Sequence, residues 1–204
     1  GVILTSFARD WYKTVVPSDF TLIHYQNALS HELVVPSILN SLFYSFFAMI
    51  LAVLTGTIIS ISCVRWKVPF HRLIDTLSMT PLAIPGIVLA FGYLSMCTKI
   101  DSISILVDPV KNPAFVLIAA YAVRRLPFVT RAVTAGLQQT PEELDNAARI
   151  LGAGTFRTLS RITLPLIFAN ITAGALFAFS YSMLAVSESM LLAQRKAFFP
   201  ITKA

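Results

Sequence analysis

The sequence predicts an all-α integral membrane protein, a polytopic bundle of helices. Of its 204 residues, 56% are hydrophobic and 13% are charged, whereas a typical soluble domain has roughly 25% charged residues. Several windows reach the roughly 20 apolar residues that cross about 30 Å of hydrocarbon. A cleavable signal peptide needs a basic start and a short apolar core, and residues 1–10 lack that arrangement. We therefore expect the bilayer to be the solvent of this chain.

One transmembrane domain is predicted over the whole chain. The predicted spans are a partial one at about 1–9 and complete ones at 37–64, 73–97, 113–135 and 162–186. Residues 37–64 contain no charge and many Ser, Thr and Gly residues, through which membrane helices approach one another closely. Residues 73–97 contain Pro81, Pro85 and Gly86. Because these residues interrupt the backbone hydrogen bonding of a helix, they predict a kinked helix that lines a pathway.

We expect both ends of the sequence to be truncated. The chain begins with Gly1 rather than Met, and it stops at Ala204 shortly after the last predicted span. The full-length protein is therefore expected to have about five to six spans.

The distribution of basic residues predicts the orientation of the chain. The predicted loop 65–72 and the segment 124–161, which runs from the end of the third complete span through the following loop, hold nine Lys and Arg residues, and the other face holds seven. Basic loop residues are retained on the cytoplasmic side, so these two segments are placed inside, with Trp66 as an inner interfacial anchor. Glu188, just past the outer end of the last span, is a candidate pathway residue that would meet a cation. A solvated interfacial acid is the alternative interpretation.

The spans are expected to lack buried Asp, Glu, Lys and Arg residues. Secondary transporters that are coupled to protons or ions usually mark their route with ionisable groups inside the membrane. This pattern makes a secondary transporter the less favoured interpretation. The three histidines, at positions 24, 31 and 71, have no second ligand at helical spacing, so no metal site is predicted.

The predicted cytoplasmic loop 137–161 has a local design of its own. Thr140 is predicted to cap a helix, with Pro141 as its first residue and Glu143 completing a capping box. This helix should run to about Leu151, stop at a glycine turn and restart near Thr155. The result is two short helices that are joined by a glycine elbow at Gly152.

An apolar stripe runs along the first of these two short helices. Leu144, Ala147, Ala148 and Leu151 recur at helical spacing, so they share one face. The small alanines at its centre permit close approach by another surface. From periodicity alone, this stripe packs either on a partner protein or on the membrane helices of the chain itself.

The same segment resembles the EAA loop of the inner-membrane permeases of binding-protein-dependent ABC importers. In that pattern Glu-Ala-Ala is followed after three residues by Gly and after nine more by Ile-x-Leu-Pro. This chain has Asn146-Ala147-Ala148, then Gly152, then Ile162-Thr163-Leu164-Pro165. Every spacing fits, and Asn146 is the only departure. The resemblance implies an ATPase-coupling role for Glu143, Asn146, Ala147, Ala148, Gly152, Ile162, Leu164 and Pro165.

The resemblance also implies the partners of the chain. The loop would dock in a cleft of a separate ABC ATPase subunit, which binds ATP and Mg, so this chain would be neither an enzyme nor a holder of cofactors. A second permease copy or half and a periplasmic or lipid-anchored binding protein would complete a transporter in the bacterial inner membrane. The resemblance implies no nucleic-acid partner. The absence of a phosphate-binding GxxxxGK[ST] sequence agrees with this division of labour.

The resemblance is nearest to permeases for iron(III). Permeases for 2-aminoethylphosphonate, for spermidine and putrescine, and for thiamine follow closely. Iron(III) or a similar small solute is therefore the expected substrate, and the other solutes are the alternatives.

Overall fold

The computed structural model describes residues 2–8, 20–99 and 112–203. In chain order the helices are α1 (Val2–Phe7), α2 (Ile23–Ser30), α3 (Val34–Val64), α4 (His71–Ala83), α5 (Gly86–Lys99), α6 (Ala114–Gln139), α7 (Glu142–Ile150), α8 (Thr155–Leu166), α9 (Phe168–Met183) and α10 (Ser187–Leu192), followed by a 3-10 turn at Lys196–Phe198. The described ranges contain an isolated β-bridge between Ala8 and Phe20 but no strand. The predicted all-α class is confirmed.

The long helix α3 turns its small residues inward and its large residues outward. Its buried face is formed mainly by Ser37, Ser41, Ser45, Ala48, Ala52, Gly56 and Ser60. Large side chains such as Leu39, Phe46 and Leu54 are exposed. In lipid there is no hydrophobic gain from burying large side chains, so helices associate through small ones. Among the described helices, α3 is the one long and apolar enough to cross a membrane by itself.

Three helices, α3, α6 and α9, pack around Val129 of α6, which is completely buried. A Cβ added to Gly56 of α3 would lie 2.9 Å from Val129 Cγ1, and one added to Gly174 of α9 would lie 3.1 Å from Val129 Cα. The Ser60 hydroxyl of α3 donates a hydrogen bond to the carbonyl of Thr130 at 3.1 Å. Glycines on both neighbours therefore set the short distance between these helices.

Two of the predicted spans are broken rather than continuous. The span predicted at 73–97 as a kinked helix is two helices, α4 and α5, bent by 104°. Ile84 is extended there (φ −89°, ψ 131°), because a residue before a proline is disfavoured in the helical region, and Pro85 follows. Helices α8 and α9 are likewise bent, by 69°, at Ile167. By length and composition the described helices give one span, or up to three if each bent pair counts as one.

The bend before α9 follows from a proline. Pro165 lacks an N–H and crowds the carbonyl of Arg161, and the preceding stretch Leu159–Thr163 is π-helical. The span predicted at 162–186 is therefore divided at Ile167, with Ile162 and Leu164 in α8 and the part from Phe168 onward in α9.

Helix α6 is longer than the predicted span 113–135 and continues to Gln139. Arg124 and Arg125 lie in the middle of this helix, whereas the count of basic residues included them in the inner segment 124–161. Without them the inner basic count falls from nine to seven, equal to the outer seven, so the count of basic residues no longer decides the orientation. The partial span predicted at 1–9 coincides with α1, although residues 1 and 9 lie outside the described ranges.

The close packing of α6 against α9 predicts that Gly136→Ala destabilises the protein. The added Cβ would lie 2.7 Å from Asn170 Cγ and 2.9 Å from Asn170 Cβ, so the two helices must separate, at a cost of about 1–3 kcal/mol. Gly92→Ala in α5 is the matched control, because nothing lies within 4 Å of its added Cβ. The control should be neutral or stabilising by up to about 1 kcal/mol. Unfolding in mixed micelles measures both, and equal effects would contradict the packing argument.

Candidate functional site

The coupling segment, residues 140–166, begins differently from the prediction. Thr140 ends α6, and its hydroxyl donates a hydrogen bond to the carbonyl of Gly136 at 2.9 Å. Pro141 is extended (φ −60°, ψ 135°) and precedes α7, whose first residue is Glu142 and which has no side-chain cap. The predicted capping box is therefore wrong, because the preceding helix takes the hydroxyl that would have capped α7.

The glycine elbow is confirmed. Gly152 has φ +83°, in the left-handed region that glycine adopts without steric cost. The N–H of Gly152 donates to the carbonyl of Arg149, and the N–H of Ala153 donates to the carbonyl of Ala148, both at 2.9 Å. These two bonds form a Schellman motif, which satisfies carbonyls at the end of α7. Helix α8 then begins at Thr155.

A buried ion pair fixes α7 to the rest of the protein. Arg65 Nε lies 3.2 Å from Asp145 Oδ2, in a geometry that is ionic rather than hydrogen-bonded, and the two side chains are 8% and 14% exposed. A second nitrogen of Arg65 donates to the carbonyl of Thr140 at 2.8 Å. The buried Thr163 hydroxyl donates to Asp145 Oδ1 at 3.0 Å. We call these four residues the Arg65 cluster, and it joins the ends of α3 and α6 to α7 and α8.

The opposite side of α7 is exposed and apolar. Of the predicted stripe, only Ala148 is buried, at 7% exposure, whereas Leu144, Ala147 and Leu151 face outward. Packing of the stripe on the chain's own helices is therefore restricted to Ala148. Ile150 and Phe156 extend the exposed patch and are 85% and 81% exposed. We call Leu144, Ala147, Ile150, Leu151 and Phe156 the outward face.

The acids of α7 divide between the two sides. Asp145 faces inward in the Arg65 cluster, and Glu142 forms an exposed ion pair with Lys67 at 3.4 Å. Glu143 and Asn146 are both exposed, and the carboxylate of Glu143 forms no ion pair with another described residue. Their side chains are free to contact another molecule.

The last three motif residues lie in α8 and have different surroundings. Ile162 and Leu164 are half-buried, and Pro165 is exposed. Leu164 and Pro165 line an open apolar groove with Phe168 and Ile171. The sequence analysis missed Arg65, which it treated as one basic loop residue among several.

A second buried ion pair lies near the middle of α6. Arg124 Nε is 3.1 Å from Glu188 Oε1 in α10, again in a geometry that is ionic rather than hydrogen-bonded. Glu188 is 2% exposed. Arg124 lies within the predicted span 113–135 and its side chain is 21% exposed, so the expectation that the spans lack buried charges is wrong there. Glu188 lies just past the predicted span 162–186, and its burial shows that the interpretation as a solvated interfacial acid is wrong. Arg124, which was assigned to the inside, and Glu188, which was assigned to the outside, lie at the same level.

This ion pair adjoins the break between α4 and α5. A nitrogen of Arg124, Nη1, donates to the carbonyl of Ile84 at 3.2 Å. A Cβ added to the buried Gly86 would lie 3.0 Å from both Arg124 Cζ and Ser187 Cβ. The structure thus brings two of the four predicted pathway residues, Gly86 and Glu188, to one place.

The other two predicted pathway residues are the prolines. Pro85 is exposed next to the break, and Pro81 is half-buried inside α4. Within the described ranges, no group of three or more His, Cys, Asp or Glu residues is placed to hold a metal ion.

Removal of the inward acid should loosen α7. In Asp145→Asn, Arg65 loses its buried counter-charge, and losing one partner of a buried pair costs about 3–5 kcal/mol. Amide hydrogen exchange over 142–150 should accelerate by about tenfold or more, while that of α9 stays unchanged. Glu143→Gln is the control, because Glu143 is exposed and unpaired within the described chain. Unchanged exchange in Asp145→Asn would show that α7 is held in another way.

The second ion pair predicts a non-additive double-mutant cycle. Glu188→Gln and Arg124→Gln should each destabilise the protein by about 3–5 kcal/mol, and the double variant by less than their sum, because it leaves no unpaired charge. Lys67→Gln is the control, because its pair with Glu142 is exposed and worth at most about 1 kcal/mol. Unfolding in mixed micelles measures the cycle, and strict additivity would argue against the pair.

Comparison with known proteins identifies the family of this chain. The family model described as "Binding-protein-dependent transport system inner membrane component" matches residues 48–202. A permease protein of Salmonella typhimurium named for 2-aminoethylphosphonate transport is 25% identical over 193 residues, which are 94% of this chain and 69% of the relative. The molybdate/tungstate transport system permease protein of Pyrococcus furiosus is 29% identical over 203 residues, which are 99% of this chain and 76% of the relative.

A third relative is much longer than this chain. It is a permease protein of Haemophilus influenzae named for ferric transport, and it is 27% identical over 157 residues, which are 77% of this chain and 24% of the relative. The family model matches about three quarters of the chain and includes the Arg65 cluster, the outward face and the Arg124–Glu188 pair. The chain therefore belongs to the family of inner membrane components of binding-protein-dependent transport systems.

Proposed function

We propose that this chain is the permease subunit of an ATP-binding-cassette importer, which forms the translocation pathway and is driven by a separate ATPase. The observation that carries the proposal is the outward face. Ile150 at the end of α7 and Phe156 at the start of α8 are 85% and 81% exposed, and exposed apolar side chains that form a patch mark an interaction site. A short amphipathic helix that presents such a face fits a groove on a partner protein.

The Arg65 cluster connects the helix that carries this face to the membrane helices. Because Asp145 holds α7 against the ends of α3 and α6 and against α8, a displacement of α7 moves these helices with it. Packed helices transmit such displacements as rigid bodies. Closure of a partner ATPase would thereby reach the spans through one buried ion pair.

Helix α6 extends this connection to the Arg124–Glu188 pair. About 24 Å of helix separates Arg124 from Thr140, at about 1.5 Å per residue. Arg124 contacts the α4–α5 break through Ile84 and contacts α10 through Glu188. We infer that this region is the part of the pathway that responds to movement of α7.

Polar contacts at the docking surface would come from two exposed residues. Asn146 stands where the EAA pattern has Glu, and its amide can donate as well as accept hydrogen bonds. Glu143 is the exposed acid that lies nearest to Asn146 in sequence and is not engaged in an ion pair within the described residues. Glu143 would therefore supply the negative charge that Asn146 lacks.

The solute is inferred from the relatives. Those that match more than nine tenths of the chain are named for 2-aminoethylphosphonate and for molybdate or tungstate, and all of these solutes carry a tetrahedral oxyanion group. We therefore infer a small oxyanion as the solute. Iron(III) is the second candidate, which the ferric relative supports over a shorter match. ATP-dependent uptake by proteoliposomes, with binding protein loaded with each solute in turn, distinguishes the two.

Site-directed crosslinking tests the docking surface. With Cys63 and Cys97 replaced by Ser, Ala147→Cys should crosslink to a cysteine in the cleft of the ATPase, because Ala147 lies on the outward face. Ala148→Cys is the matched control, because the adjacent residue is buried and should crosslink at least about tenfold less. Equal yields, or no crosslink along 144–151, would contradict docking through this face.

Gly152→Asp separates coupling from folding. The space around Gly152 is open within this chain, and its φ of +83° is the constraint, which costs a non-glycine residue about 1–2 kcal/mol. We expect normal membrane insertion and loss of ATP-driven transport. Gly152→Asn, which introduces the residue that replaces Gly at this position of helix ends, should retain more transport. Uptake driven by an ion gradient without nucleotide would instead favour a secondary transporter.

A further inference from the structure

A basic cavity lies beside the coupling segment, between the end of α3, the start of α4 and α6. It has a volume of about 320 Å³, and the charged residues that line it are Lys67, Arg72, Asp75 and Arg131. Counting its Lys, Arg and Asp residues, three cations and one anion give the lining a formal charge of +2. This volume falls within the range of about 300–1,000 Å³ that is typical of small-molecule sites.

Two of the cations form no ion pair with another described residue, although Asp75 lines the same cavity. Lys67 pairs with Glu142 at 3.4 Å, whereas neither Arg72 nor Arg131 forms an ion pair with any other described residue. The guanidinium group presents donors in a fork that matches phosphate oxygens. Two unpaired arginines that line one cavity therefore favour a tetrahedral oxyanion as its ligand.

The position of the cavity along the length of α6 indicates the source of this oxyanion. Arg131 lies eight residues before the end of α6 at Gln139, which is about 12 Å along the helix. Trp66 and Phe70, in the turn between α3 and α4, are exposed, and in sequence they adjoin the lining residues Lys67 and His71. Aromatic and basic residues that occur together at the end of a span are typical of the headgroup region, where basic pockets between membrane helices bind anionic lipid headgroups.

We propose that this cavity binds the phosphate group of an anionic phospholipid of the cytoplasmic leaflet, with Arg72 and Arg131 as its ligands. Lys67 connects the occupied cavity to α7 through Glu142. The lipid would thus stabilise the start of α7 at Glu142. This site is distinct from the outward face and from the Arg124–Glu188 pair. Its orientation toward the cytoplasm rests on the proposed function, whereas its ligand chemistry does not.

Native mass spectrometry of the purified transporter tests the proposal. Phosphatidylglycerol should bind about tenfold more tightly than phosphatidylcholine with the same chains. The double variant Arg72→Gln/Arg131→Gln should lose this preference, because each basic residue near the headgroups contributes about one kcal/mol, or about fivefold in affinity. Arg157→Gln, an exposed arginine of the coupling segment that does not line the cavity, should keep the preference within twofold.

The remaining arms separate the sources of the oxyanion and control for folding. Arg72→Lys/Arg131→Lys retains the charge and should retain most of the preference even if the Gln variant folds poorly. Inorganic phosphate at millimolar concentration should not displace the lipid. Binding of phosphate with no preference for phosphatidylglycerol would overturn the lipid assignment, as would an equal loss in Arg157→Gln. Failure of ATPase crosslinking leaves these lipid measurements unaffected, so the two proposals fail independently.

Discussion

The buried ion pair between Arg65 and Asp145 is the contact on which the coupling segment depends. Helix α7 has nine residues and buries only Ala148, so it is too short to be stable alone and has almost no apolar anchor. Its position is set instead by Asp145, which reaches Arg65 and Thr163 at the same time. Buried ion pairs contribute little net stability but penalise alternative placements strongly. This cluster therefore determines where the outward face points more than it determines how stable the fold is.

The packing of α3, α6 and α9 is typical of helices in a lipid bilayer. Small residues of α3 and α9 lie against Val129, while large apolar residues face outward. Because glycines of both neighbours lie against Val129, the three helices approach closely there, and the Ser60 hydroxyl reaches the backbone carbonyl of Thr130. Such packing resists sliding and favours movement as a unit. The bundle is therefore suited to transmit displacements of α7 that reach it through the Arg65 cluster.

The features that local sequence determines were predictable, and those that depend on distant residues were not. The turn at Gly152 followed from glycine spacing, because the left-handed conformation is a property of one residue. The capping role of Thr140 failed because two helices compete for one hydroxyl. Arg124 was counted in the inner segment because its partner, Glu188, lies 64 positions further along the chain. Pro85 indicated a break in the predicted span, but a proline does not specify a bend of 104°.

The Arg124–Glu188 pair explains how a broken helix persists in this environment. The break leaves the carbonyl of Ile84 without a helical donor, and an unsatisfied backbone group in hydrocarbon costs several kcal/mol. Arg124 supplies that donor, and Glu188 in turn balances its charge. If α6 moves relative to the break, Ile84 and Glu188 must move with Arg124. Otherwise the carbonyl of Ile84 loses its donor, and the charges of Arg124 and Glu188 lose their partners. Intermediate positions are penalised for this reason, and the pathway is expected to switch between discrete arrangements rather than deform continuously.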